Sequence, residues 1–464
     1  MVDAINNGIV YLNGLIWSWP FLSFIFISAC ITTVSLGFIQ FRLFFAAWRE
    51  LLFGSKEKST GDMTPFQAFI NTLSTSSGNG SLAGVATAVA EGGPGAIFWI
   101  FVFGCLSMSL RFSEVFLATS SEPIKEGGVV VGGPMVYLQK LPGGRYLAYI
   151  FTFFMLYLSL ASGTAMQANS IRLGIVTILT NWFSDGVVSE QMPSLLWSDV
   201  YTYGVALVLL VFVIYVVRGG AQRVVAISEK IVPFKVFFFF TATLVVLIYH
   251  YHAVAQAIQL VFASALRPQA IAGGAAGFAM QQAMRYGIVR SVNATEAGIG
   301  TAGVLFGGTA TKEPFKSGII SMLSVFISAN LVCVGIGLTI ISSGVWNSGL
   351  TSLNLTIASY STVFGSLGAW IVTLLSISFG VSVLVSYSYI ARSCWLFLTG
   401  GRGAYIFDII FCAVTAIGAI AQVKIVWNAI DLSNAGLLLF NIIGILYLLP
   451  YIRRNVYKAY AARA

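Results

Sequence analysis

The feature that most constrains this chain is a succession of apolar runs, each about as long as the roughly 20 residues a helix needs to cross hydrocarbon. They lie near 14–40, 64–90, 95–120, 145–181, 200–217, 230–254, 257–290, 316–344, 362–392, 404–423 and 432–452. Little else is left: 58% of the 464 residues are hydrophobic and only 9% are charged. A soluble domain carries roughly 25% charged residues, because water-facing surface must be polar. The sequence predicts an all-α integral membrane protein of about 11 transmembrane helices, which excludes soluble enzymes and nucleic-acid binders. Disorder is excluded too, since disordered segments are poor in aromatics and this chain has 36 Phe. The first run lacks a basic leading region, so it reads as a spanning helix rather than a cleaved signal.

The net charge of +9 has a simple source. With the N-terminus outside, the inner segments are 41–63, 111–145, 218–230, 285–316, 392–402 and 453–464, and they hold 21 of the 25 Lys and Arg. That is a strong positive-inside bias, and no anionic or nucleic-acid partner is needed to explain the charge. The C-terminus is then cytoplasmic. The five Cys sit in apolar runs without a CxxC pair, and there are two His. No cofactor or zinc centre is expected.

Two runs are interrupted. The second contains Ser76-Ser77-Gly78-Asn79-Gly80-Ser81, and the seventh contains Gly273-Gly274-Ala275-Ala276-Gly277. With the first helix set aside, they are the first and sixth of a ten-helix core. Such matched breaks in inverted repeats point to a transporter's central site. The chain divides accordingly into residues 1–60 (an extra helix and loop), 61–255 (a first five-helix half) and 256–464 (a second). A half-helix starting near Ser81 would aim free N–H groups at a carboxylate. Carbonyls ending near Ser77 and Gly273 would suit an ammonium or a small cation. A zwitterion uses both.

Polar residues within the runs supply further candidates. Gln167 and Asn169 serve a ligand or bond a neighbouring helix. Ser382, Ser386 and Ser388 offer oxygens to a sodium-sized ion, or bond their own backbone. Lys235, between Pro233-Phe234 and a run of four Phe, is a cation in an apolar span and hence a functional candidate. It either exchanges a proton during a cycle or snorkels to the surface beside Lys230. Glu296 is expected to pair with Arg290 or another basic residue as a gate closing the cytoplasmic side, and Asp408 to be interfacial. An ion channel would instead need a continuous polar pore, and a membrane-embedded enzyme a converging nucleophile and base. No Ser–His or His–carboxylate cluster is evident within the spans, and unitary currents rather than saturable uptake would mark a channel.

These residues resemble the alanine or glycine:cation symporter family (sodium:alanine symporters). The matches begin with Gly61-Asp62-Met63 and Phe66-Gln67-Ala68, then Gly78-Asn79-Gly80-Ser81-Leu82-Ala83-Gly84-Val85-Ala86-Thr87-Ala88 and Gly92-Gly93-Pro94. They continue through Gly132-Gly133-Pro134-Met135, Gln167-Ala168-Asn169-Ser170, Val232-Pro233-Phe234, Arg290 and Glu296-Ala297-Gly298. The resemblance implies a leucine-transporter-type 5+5 fold in a prokaryotic plasma membrane, importing a small neutral amino acid with sodium or, in some members, protons. By position it implies that Gly78, Asn79, Gly80 and Gln167 contact substrate and that Ser81 stands near sodium, with Ser382 a further candidate ligand. The second break, Gly273-Gly274, departs from the family by carrying its aromatic residue later, at Phe278, which implies a larger or differently shaped substrate. Lys235 also departs, standing where the family has an apolar residue. In related families of this fold a lysine on the equivalent helix can occupy a sodium position, so Lys235 weakens the expectation of sodium coupling.

Overall fold

A computed structural model describes residues 8, 11–54, 60–126, 129–183, 195–266, 274–420 and 424–461. The chain is almost entirely helical. Helix α1 (Trp19–Ser35) leads to α2 (Phe44–Phe53), which shows Phe45 and Phe53 to the exterior. There follow α3 (Pro65–Ser76), α4 (Asn79–Gly92) and α5 (Gly95–Ser120), then a hairpin of β1 (Ile124–Glu126) and β2 (Val129–Val131). Next come α6 (Gly144–Leu160), α7 (Met166–Phe183), α8 (Leu195–Arg218), α9 (Gly220–Tyr249) and α10 (Tyr251–Leu266). The chain continues as α11 (Gly274–Thr295), α12 (Thr301–Gly307), α13 (Pro314–Val325), α14 (Val334–Ser342) and α15 (Ser352–Phe364). It ends with α16 (Leu367–Thr399), α17 (Ala404–Ile420) and α18 (Lys424–Ala461). Among the described residues, seven helical segments are long and apolar enough to cross a membrane. The run expected at 257–290 is two separate helices, α10 and α11.

The first expected interruption is present. Thr64 and Gln67 form a reciprocal capping box that starts α3, with Pro65 at its first position. Within α3, hydroxyls of Thr72, Thr75 and Ser76 bond backward to main-chain carbonyls, a habit that weakens a helix. The chain leaves the helix at Ser77 and Gly78, and α4 restarts at Asn79. A Cβ on Gly78 would lie 2.9 Å from Val383 Cγ2 of α16, so this break needs a residue without a side chain.

Of the second expected interruption, only part lies within the described residues. Gly274 and the residues up to Gly277 are in the first turns of α11, while Gly273 is outside the described residues. At its other end α11 stops at 296–300, where Glu296, Gly298 and Gly300 have φ of 54°, 84° and 109°. Glycine and alanine retain their helical N–H donors, so small size alone does not end a helix. Left-handed φ does. The α11 half runs along α4 and α5, whereas α12 packs on α3 and α5.

A buried ion pair on α5 clamps this second break. Arg111 and Glu114, both fully buried, lie 3.4 Å apart. Arg111 donates to the Thr295 carbonyl at the end of α11. Glu114 accepts the N–H groups of Gly298 (3.1 Å) and Gly303 (2.7 Å), at the start of α12. Asn441 of α18, itself held by Tyr137, donates to the Gly298 carbonyl at 2.9 Å. Orphan groups of both half-helices are thus met by side chains.

The hairpin end of the bundle is sealed over the N-terminal end of α3 and the C-terminal end of α12. Gly61 and Asp62 donate their backbone N–H groups to Thr309 and Gly308 carbonyls at 3.2 and 2.9 Å. The Asp62 carboxylate accepts from the Val130 N–H and from Tyr389 Oη, each at 3.0 Å. Burial raises its pKa above the usual carboxylate range, against the opposing pull of those hydrogen bonds. Gly132 and Gly307 meet backbone to backbone, with room for no Cβ on either.

Removing one partner of a buried pair strands the other, at a cost of roughly 3–5 kcal/mol. Glu114→Ala is accordingly expected to lower the thermal unfolding midpoint of the purified protein by many degrees. An unchanged midpoint would show that the clamp is not a structural necessity.

Candidate functional site

The two interruptions border one polar cavity of about 260 Å3. Thr75, Ser76, Gly78, Gly80 and Ser81 line it from the first break, and Arg290, Asn293 and Glu296 from the second. Ser162 and Gln167 contribute from the α6–α7 junction, Tyr387 from α16, and Asp431 and Asn434 from α18. Gly80 opens onto the cavity: a Cβ there would meet nothing within 4 Å. The first turn of α4 therefore presents its N-terminal end to the space without an intervening side chain, the arrangement that favours an anion.

Gln167 reaches the cavity because of a local irregularity. Residues Ala161–Ala165 form a π-helical turn between α6 and α7. Its Gly163 lies against Tyr387, so close that a Cβ would stand 2.2 Å from the ring. Gln167 donates to the Ser162 carbonyl at 3.1 Å and accepts from Asn79 Nδ2 at 3.2 Å. Two expected residues are thereby joined across the first break. Ser77 Oγ, Asn79 Oδ1, Asn434 Oδ1 and Arg290 Nε are buried without a hydrogen-bond partner among the described residues. Arg290 and Asn434 line this space.

Lys235 does not snorkel. It projects from α9 into the bundle, fully buried, behind the first break. Its Nζ donates to the carbonyls of Ser77 (2.8 Å) and Ser74 (3.2 Å) and to Ser382 Oγ (2.6 Å). Phe379 places its ring 5.0 Å away, within cation–π range. All three N–H bonds are used, and among the described residues no carboxylate pairs with it. The compensating charge is the negative end of α3 itself. Ser382 is held in turn by its bond to the Phe379 carbonyl, and Ser74 Oγ donates to the Ser382 carbonyl. The carbonyl end expected to receive a ligand ammonium is therefore filled by an ammonium of the chain.

Ser81 stands apart from this cluster. Its N–H bonds the Gly78 carbonyl, and its Oγ lies 3.5 Å from the Ser76 carbonyl. Ser386 donates to Asn71, which also receives Ser228, and Ser388 bonds its own helix. Those two serines are structural ties. Asn169 bonds the Gly418 carbonyl of α17, and Asp408 lies 3.8 Å from Arg392. The side chain of Phe278 lies outside the described residues.

The expected pairing of Arg290 with Glu296 does not form. Six residues of helix place them about 240° apart around the axis, and Glu296 has already left the helix. Its Oε1 accepts from Tyr387 Oη at 2.6 Å and its Oε2 from Thr301 Oγ1 at 2.8 Å. Arg290 lies along α4 instead, where Gly84 leaves room for it. Asn293 accepts from Asn434 Nδ2 at 3.4 Å, linking α11 to α18 across the cavity. Tyr387, Asp431 and Asn434 were not anticipated. The only trace of the last two is an acid and an amide three residues apart at the head of an apolar run, a pattern common to many helix ends.

Comparison with known proteins agrees with this chemistry. A model of the sodium:alanine symporter family matches residues 2–464. The chain is 30% identical to the sodium/alanine symporter AgcS of Methanococcus maripaludis, over 94% of this chain and 93% of that one. It is 29% identical to the amino-acid carrier protein AlsT of Bacillus subtilis, over 97% and 90%. A probable sodium/glutamine symporter, GlnT, from the same bacterium is 26% identical over 97% and 89%. The chain is a multi-pass membrane protein and belongs to the sodium:alanine symporter family, whose members are transporters rather than enzymes.

Proposed function

We propose that this protein imports a small neutral amino acid across the plasma membrane by alternating access around the cavity between its two interrupted helices. In this reading the core is a leucine-transporter-type pair of inverted five-helix halves, residues 61–255 and 256–464. The extra N-terminal helix enters from outside, and the hairpin and basic loops face the cytoplasm. The substrate carboxylate binds the α4 N-terminus at Asn79 and Gly80, with Gln167 beside it. The sealed contacts around Asp62 close the cytoplasmic end, and Arg290 with Asp431 lies toward the outer end.

The observation that carries the coupling proposal is the site of Lys235. Two carbonyls from a helix end and one serine hydroxyl form the kind of all-oxygen cage a sodium ion would take, and here an ammonium fills it. Coupling through this site runs by gain and loss of the Lys235 proton rather than by sodium. The names of the relatives favour the second reading, sodium coupling, which would then place the ion near Ser81, away from Lys235.

Uptake of L-alanine, glycine and L-glutamine into proteoliposomes, with sodium and pH gradients imposed separately, decides between them. A pH gradient is expected to drive accumulation without sodium, and Lys235→Met to reduce that drive about tenfold or more, as for loss of a charge-assisted contact. Uptake that requires sodium at every pH and survives Lys235→Met would overturn the proton reading.

A second prediction concerns the carboxylate seat. Because a side chain at residue 80 would enter open space, Gly80→Val is expected to abolish amino-acid binding while changing the unfolding free energy by no more than about 0.5 kcal/mol. Wild-type affinity in this variant would place the substrate elsewhere.

A further inference from the structure

We infer that Glu296 is the group that receives the substrate's ammonium. The inference rests on the reading of this cavity as an amino-acid site. The usual seat for an ammonium at a broken helix, its free carbonyl end, is taken at the first break by Lys235. A zwitterion whose carboxylate sits at the α4 N-terminus still needs a negative partner on the same cavity.

Glu296 is 7% exposed and lines that cavity together with Gly78, Gly80 and Ser81. Each of its oxygens receives one hydroxyl, from Tyr387 and from Thr301. A carboxylate oxygen accepts two bonds, so each retains capacity. The two hydroxyls, from α16 and α12, fix the orientation of the carboxylate without neutralising it. The nearby buried cation, Arg111, is committed to Glu114 and the Thr295 carbonyl. Arg290 lies along α4 and forms no ion pair with Glu296 among the described residues.

The backbone adds an independent observation. Glu296 follows the last residue of α11 with φ of 54°. A helix that ends this way ordinarily uses glycine or asparagine, because a Cβ is strained in the left-handed region. The strain is retained at a position whose side chain faces the cavity, as is common where a site fixes a functional group. A carboxylate there selects for a primary or secondary ammonium. An α-hydroxy acid of the same shape leaves the charge unpaired and is rejected.

The test is calorimetric binding to the purified full-length protein, using L-alanine and glycine alongside L-lactate and glycolate. Wild-type protein is expected to bind the amino acids and reject the hydroxy acids. Glu296→Gln is expected to weaken amino-acid binding about ten- to a hundredfold, as for loss of a hydrogen bond to a charged group. Hydroxy-acid binding should stay as it was, so the discrimination collapses. Glu296→Asp, which keeps the charge, should recover part of the affinity, and Tyr387→Phe should lose less than Glu296→Gln. Unfolding midpoints of all variants are measured in parallel. Should Glu296→Gln not fold, discrimination retained by Glu296→Asp supports the inference, and its loss in that folded variant overturns it. Unchanged affinity in folded Glu296→Gln overturns this inference alone. Failure of wild-type protein to bind any neutral amino acid overturns the transport reading as well.

Discussion

Two helices stop in the interior of this bundle, and each stop leaves main-chain carbonyl and N–H groups that hydrocarbon cannot satisfy. The structure is organised around meeting that demand. At the first break, the Lys235 ammonium takes two carbonyls from the end of α3, and Ser382 completes its coordination. At the second, Arg111 and Glu114 take one carbonyl and two N–H groups. Both solutions put full charges in an apolar medium, which is tolerable only because each charge is hydrogen-bonded to backbone groups or to a partner side chain.

The division of labour between the breaks follows from this. Lys235 occupies the carbonyl end of α3 but leaves the N-terminal end of α4 open at Gly80. The Arg111–Glu114 clamp satisfies backbone at the second break and leaves the Glu296 side chain facing the cavity. Besides Arg290 and Asp431, the cavity therefore keeps the positive N-terminal end of one interrupted helix and the Glu296 carboxylate of the other. That combination suits a zwitterion better than either break alone.

Much of this was legible in the sequence, and the exceptions are instructive. The apolar runs showed the membrane class, and Ser77-Gly78 marked the first break because serine hydroxyls and a missing Cβ weaken a helix locally. Lys235 stood out as a charge with no place in an apolar run. The glycines at 273–277 fall at the start of α11, with Gly273 outside the described residues, and composition cannot separate a glycine that permits close packing from one that adopts positive φ. The break at 296–300 carries its signal in Gly298 and Gly300, which are separated by an isoleucine and lie two and four residues after Glu296, the acid expected to act in a gate.

Composition and spacing alone determined that the chain lives in a bilayer and that one helix is interrupted near residue 78. Those are local properties, set by what each stretch of chain can do in hydrocarbon. Only the tertiary structure decided which group meets which broken end. Lys235 and Ser74 are 161 residues apart in sequence, and Tyr387 and Glu296 are 91 apart. No periodicity encodes such a meeting. It depends on how α9 and α16 pack against the broken helices, and packing is where the ammonium found its cage and the carboxylate its place on the cavity.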